Sequence, residues 1–165
     1  MSKETKNKVI IENEIVRFFK NTNLQHSVIV ALYKGKKLPK YCISMLRNPK
    51  PKPNIPLNNN LMEIYFSALN KNYSIIDGAI LIRVNCDAPI LTGFSYRIYP
   101  PPLNTLRSKN LGSGYNSSID FSGVKRIICV YFINKNSVKK FINGKEKILI
   151  KNKENNKKIT DKHAK

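Results

Sequence analysis

Chemistry in a folded chain needs reactive side chains that converge, and this 165-residue sequence offers few candidates. Its two histidines are His26, ahead of an apolar run, and His163, near the C-terminal end. They share no helix face, so neither imidazole acid-base catalysis nor a histidine metal site is expected. The carboxylates Glu63, Asp77, Asp87 and Asp120 stand apart in sequence, although folding can unite a pair. Gly112-Ser113-Gly114 is a short glycine-serine run, but it lacks the lysine of a phosphate loop and reads as lying outside a strand-to-helix context. Cys42, Cys86 and Cys129 are odd in number, widely spaced and set in apolar runs, the pattern of buried thiols in a reducing compartment. The expectation is a protein that is not an enzyme, with no catalytic, cofactor-binding or metal-binding residue.

The basic residues carry more information. Thirty Lys and Arg against ten Asp and Glu give a net charge of +20. Folding does not require such a field, which favours polyanions: nucleic acid, nucleoprotein or an anionic membrane leaflet. No acidic residue lies between Glu14 and Glu63, and that window holds Lys34, Lys36, Lys37, Lys40, Arg47, Lys50 and Lys52. These seven are the expected membrane or polyanion contacts. Tyr33 and Tyr41 flank the lysine cluster and could stack on bases or sit at a lipid interface, or be strand-end core residues. The strand "VKRIICVYFI" lacks the glycine and exposed aromatic pair of an RRM, and no GXXG loop suggests a KH module, so any nucleic acid is read through charge.

The elements that must position these residues follow from periodicity. The first eight residues read as a flexible arm, and Ile11, Ile15, Phe18 and Phe19 then fall at helical spacing, although residues 9–20 fit a strand nearly as well. "SVIVALY" and "YCISML" enclose the lysine cluster as a hairpin, and residues 47–60 form a proline-rich extended linker. The main helix carries Leu61, Ile64, Tyr65, Ala68 and Leu69 on one face, capped from Asn58–Asn60. "AILIRVNC" and "LTGFSYRIY" are strands, "VKRIICVYFI" is the most buried one, Ser137 caps a short helix ending at Gly144, and "KILI" closes as an edge strand. The fold class is α+β: a mostly antiparallel sheet with one main and one short helix packed on it, one domain over residues 9–150. Residues 151–165, with Lys151, Lys153, Lys157 and Lys158, form a disordered basic tail. Neither a signal peptide nor a membrane span is expected, so the chain reads as soluble or peripheral.

Residues 100–122 form a long loop opened by Pro100, Pro101 and Pro102, and loops of that length usually serve function. Leu103, Leu106 and Leu111 beside Arg107 and Lys109 suit docking on a membrane or on a neighbouring copy. The order "TGFSYRIYPPPLNTL", loop, "IDFSGVKRIICVYFINKNSVKKFI" resembles the C-terminal half of rhabdovirus matrix proteins. Upstream, "LMEIYFSALNKNY" and "DGAILIRVNC" look like the helix and strand that precede it there. The length, basic ends and high pI are most similar to those of plant-infecting, cytorhabdovirus-type members.

That resemblance implies a structural protein on the inner face of the viral envelope, also found in host cytoplasm and at host membranes. It would bridge nucleocapsid and membrane, self-assemble, condense the ribonucleoprotein and support budding. Implied partners are the viral nucleocapsid or RNA, an anionic membrane, other copies of the chain and the viral glycoprotein. No PPxY or P[ST]AP motif is present, so host sorting through such a motif is not implied. The alternative is a small sequence-nonspecific RNA-binding protein, for which charge alone suffices.

Overall fold

The computed structural model describes residues 2–58, 60–85, 88–103 and 111–152. Helix α1, Lys3–Asn21, comes first, followed by strands β1 (Val28–Tyr33), β2 (Cys42–Ser44) and β3 (Ile55–Pro56). Helix α2 (Leu61–Lys71) and a 3-10 turn at Tyr73–Ile76 lead into β4 (Ala79–Arg83) and β5 (Ile90–Ile98). Helix α3 (Ser113–Phe121) precedes β6 (Ile127–Asn134), β7 (Ser137–Ile142) and β8 (Lys145–Lys151). The fold is α+β: the described strands form one open sheet in the order β2-β5-β4-β1-β6-β7-β8, with β3 added beside β5. Among the described strands, only the β1–β4 pair is parallel.

Strand alternation divides the core into two faces. Val28, Val30 and Leu32 of β1, with Ile80 and Ile82 of β4 and Tyr131 and Ile133 of β6, bury against α1 and α2. Between those helices, Phe18 and Tyr65 meet edge to face at 5.1 Å, a geometry that adds about 1 kcal/mol to plain burial. Ala31, Tyr33, Leu81 and Val130 point the other way, toward Phe121 of α3, and Ile119 packs there with Phe132 and Phe141. Strand β6 is therefore apolar on both faces because both faces are covered.

The structure corrects several expectations. The N-terminal arm is helical from Lys3: Ser2 accepts a hydrogen bond from the Thr5 backbone N–H, and Glu4 pairs with Lys8 one turn on. The 28–46 segments do not pair as a hairpin, since β1 lies between β4 and β6 while β2 pairs with β5. Within the expected linker at 47–60, Ile55 and Pro56 form β3 and add to the sheet beside β5. The cap of α2 comes from α1: Asn60 makes no side-chain cap bond, and Glu14 Oε2 accepts from Leu61 N at 3.2 Å. Residues 137–142, expected as a short helix, are strand β7, paired on both sides by β6 and β8. The long loop at 100–122 is shortened by α3, whose apolar residues Tyr115, Ile119 and Phe121 have a surface of the sheet to cover.

Candidate site at the start of helix three

Two glycine turns face each other on the α3 side of the sheet. One is Asp77-Gly78, between the 3-10 turn and β4. Gly78 has φ +97°, and a Cβ there would lie 2.5 Å from Met45 Cε and 2.9 Å from the Tyr96 carbonyl oxygen, so glycine alone fits. The turn is fixed by Ser95, whose hydroxyl donates to the Asp77 carbonyl at 2.7 Å, and by Arg47. The Arg47 Nε donates to Ser95 Oγ at 2.7 Å, and its Nη2 lies 3.3 Å from Asp77 Oδ2. The Asp77 side chain is still 75% exposed and open to further partners.

The second turn is Gly112-Ser113-Gly114. Gly112 takes φ +97° as the residue before α3. Gly114 lets the helix lie on Phe132 and Ile29, 3.4 and 3.7 Å from where its Cβ would be. Tyr115 anchors this end: its ring packs edge to face on Phe132 and Phe141, Lys139 Nζ sits 4.7 Å above it, and its hydroxyl donates to Glu146. Between the turns opens a cleft of about 350 Å3, lined by Ser27, Ile29, Asp77, Gly78, Gly112, Ser113, Gly114, Phe132 and neighbours. An α-helix start with backbone N–H groups, an apolar wall and one exposed carboxylate can hold a phosphate, a flat ring and a hydroxyl donor respectively.

The sequence singled out the glycine-serine run but denied it a helix, and read Asp77-Gly78 only as a turn. Their meeting is set by tertiary pairing, which neither stretch encodes alone. The available signal was the Tyr115–Ile119 spacing with Gly123 just past the helix end.

The basic residues expected at the surface divide into two groups. Lys36, Lys37, Lys40, Lys50 and Lys52 are exposed as expected. Lys34 is exposed but pairs with Glu4 at 2.7 Å, and that contact with Lys8 alongside holds the Glu4 carboxyl below its usual range. Arg47 is largely spent on Ser95 and Asp77. Pro101, Pro102 and Leu111 are exposed and Pro100 is half-buried, whereas Leu103 packs on the Phe141 cluster and Asp120 accepts its backbone N–H at 2.9 Å. Leu103 is thus a core anchor, and Asp120 is its clasp. Lys151 ends β8 and is exposed. Cys86, Asp87, Leu106, Arg107, Lys109, Lys153, Lys157, Lys158 and His163 lie outside the described residues.

Burial pushes the Cys129 and Cys42 thiols up to about 11, so neither is a thiolate near neutral pH. Among the described residues, no three His, Cys, Asp or Glu side chains gather as a metal site, and no helix is long and apolar enough to cross a membrane.

No protein-family model matches the chain, and no curated protein matches it. Solved structures do. A hypothetical membrane spanning protein from Bacillus cereus superposes with a TM-score of 0.60 at 13% identity, over 87% of this chain and 63% of that one. The chain thus spans less than two thirds of that protein's length. DacA from Staphylococcus aureus, in a double-mutant form, superposes with a TM-score of 0.54 at 17% identity, over 89% of this chain and 88% of that one. At those identities the likeness shows a shared fold.

Proposed function

We propose that this chain is a nucleotide-binding domain whose ligand lies between the Asp77-Gly78 turn and the start of α3. The observation that carries this reading is the cleft itself, where a helix N-terminus that starts at a glycine faces a glycine turn bearing an exposed carboxylate. Backbone N–H groups of Ser113 and Gly114 would take the phosphate, aided by the helix dipole and the +20 charge of the chain. Ile29 and Phe132 offer the apolar surface that a base needs, and Asp77 accepts from a ribose hydroxyl. One carboxylate, hydroxyls and backbone amides are binding groups, and binding without turnover is the function proposed.

The test is calorimetric titration of the full chain with ATP, ADP and AMP, beside the variant Ser113→Glu. A glutamate in the first turn favours the helix but repels a phosphate, so loss of binding is separable from loss of fold. The expected result is saturable binding of phosphorylated nucleosides, weakened about tenfold or more in the variant. Absence of nucleotide binding, or equal affinity in Ser113→Glu, overturns the reading.

A second reading is an assembly protein of the matrix kind, joining an anionic nucleoprotein to an anionic membrane and to copies of itself. A specific segment favours it: within residues 36–46, Tyr41, Ile43 and Leu46 are exposed, as are Lys36, Lys37 and Lys40.

A further inference from the structure

We propose that the sheet edge formed by residues 36–46 and the end of β5 docks on an anionic lipid surface. This deepens the membrane part of the assembly reading and rests on it, independently of nucleotide binding. Strand β2 runs antiparallel to β5 with Ile43 opposite Arg97, and the Tyr99 N–H donates to the Tyr41 carbonyl at 2.9 Å. Alternation then places Tyr41, Ile43, Arg97 and Tyr99 on one face, while Cys42 and Ile98 turn inward toward the Phe121 cluster. The two tyrosine rings meet edge to face at 6.1 Å. Ile43 is 57% exposed, Tyr99 56% and Leu46 97%. An exposed isoleucine in β2 and a fully exposed leucine just past its end contribute little to this fold, so their contribution lies in contact with something else.

The rim decides what that partner is. Lys36, Lys37 and Lys40 are exposed and have no acidic partner among the described residues. Their loop is held in place from below: the Arg126 guanidinium donates to the carbonyls of Lys37 at 3.1 Å and Leu38 at 2.7 Å. Ammonium groups around tyrosines and aliphatic side chains match a membrane interface, where head groups take the charge and the acyl boundary takes the apolar tips. Nucleic acid would use the lysines and tyrosines but has no place for Ile43 and Leu46. A second copy is disfavoured because the face would meet its own positive charge, and a three-residue edge strand offers few backbone bonds.

The experiment is flotation of the full chain with phosphatidylcholine vesicles, with and without phosphatidylserine, for wild type, Ile43→Ser/Leu46→Ser and Lys36→Glu/Lys37→Glu. All four sites are exposed, so the substitutions leave the core intact. Wild type is expected to float only with phosphatidylserine present, and each double variant to bind about tenfold more weakly or worse. RNA binding of the serine variant, read by filter retention, is expected to stay at wild-type strength. Failure of wild type to float overturns both this face and the membrane part of the assembly reading. Flotation undiminished in the serine variant overturns the face alone. Equal loss of RNA binding in that variant assigns the face to nucleic acid, and a wild-type dimer that the variant abolishes assigns it to a second copy; either result overturns the lipid proposal.

Discussion

His26 stands just ahead of β1 with Nε2 2.6 Å from the Tyr65 hydroxyl, while its Nδ1 is buried with no hydrogen-bond partner among the described residues. Partial burial disfavours the imidazolium and lowers the pKa from 6.5. The unfolded chain therefore takes up this proton first as pH falls. The His26 contribution to stability is complete above the unfolded value and is lost as pH drops from there through the folded value. Melting temperature is expected to fall between pH 7.5 and 5.5, and His26→Gln to flatten that fall; an identical slope in the variant would remove His26 as the cause. Glu12 and Glu4, both held below the usual carboxylate range, do not interfere in this window. Burial opposes ionisation of Glu12, but its bonds from Lys140 and from the Tyr131 hydroxyl outweigh that, and Glu4 is held down by Lys34 and Lys8.

At the level of elements, what the sequence made legible was whatever local periodicity carries. Ile11, Ile15 and Phe18 marked α1, Leu61, Ile64 and Tyr65 marked α2, and β4, β5 and β6 lie where alternating or continuous apolar runs put them. Elements set by partners were misread. Val138, Phe141 and Ile142 fit a helix spacing, but the open edge of β6 captures that segment, and Asn143-Gly144, with φ 48° and 76°, is the turn of a hairpin into β8. Glu14 shows the same dependence at a helix end. Three asparagines precede α2, yet the carboxylate at its first N–H comes from 47 residues upstream, with Arg17 3.4 Å away. Glu14→Ala should therefore cost about 1 kcal/mol and lower the melting temperature by roughly 2–4 °C. Glu14→Gln, which keeps an acceptor, should recover part of it; equal melting of all three would show that α2 needs no cap from α1. The candidate site was illegible for a related reason: Asp77-Gly78 and Gly112-Ser113-Gly114 meet only through β4, β1 and β6.

For the whole molecule, the excess of positive charge is the dominant long-range property. Of the seven basic residues expected as contacts, Lys36, Lys37, Lys40, Lys50 and Lys52 are exposed and show no acidic partner among the described residues, whereas Lys34 and Arg47 are partly neutralised. If these five each displace a counterion from single-stranded RNA, log K should fall with log salt at a slope of about −3.5, or about a hundredfold between roughly 50 and 200 mM. A slope near zero in a salt titration would deny them a phosphate role, and a much steeper one would bring in further cations. The sheet order has another consequence, for the making of the protein. β1 lies between β4 and β6, so "VIVALY" meets its first partner when β4 begins, 46 residues later at Ala79, and its second only 94 residues later, at Ile127. At translation rates of about 5–20 residues per second, that leaves one edge of an apolar strand open for roughly 5–20 s. For that interval the nascent chain is expected to be a substrate for holding chaperones, with the lysines at 34–40, arriving just behind the strand, opposing contact with neighbouring nascent chains.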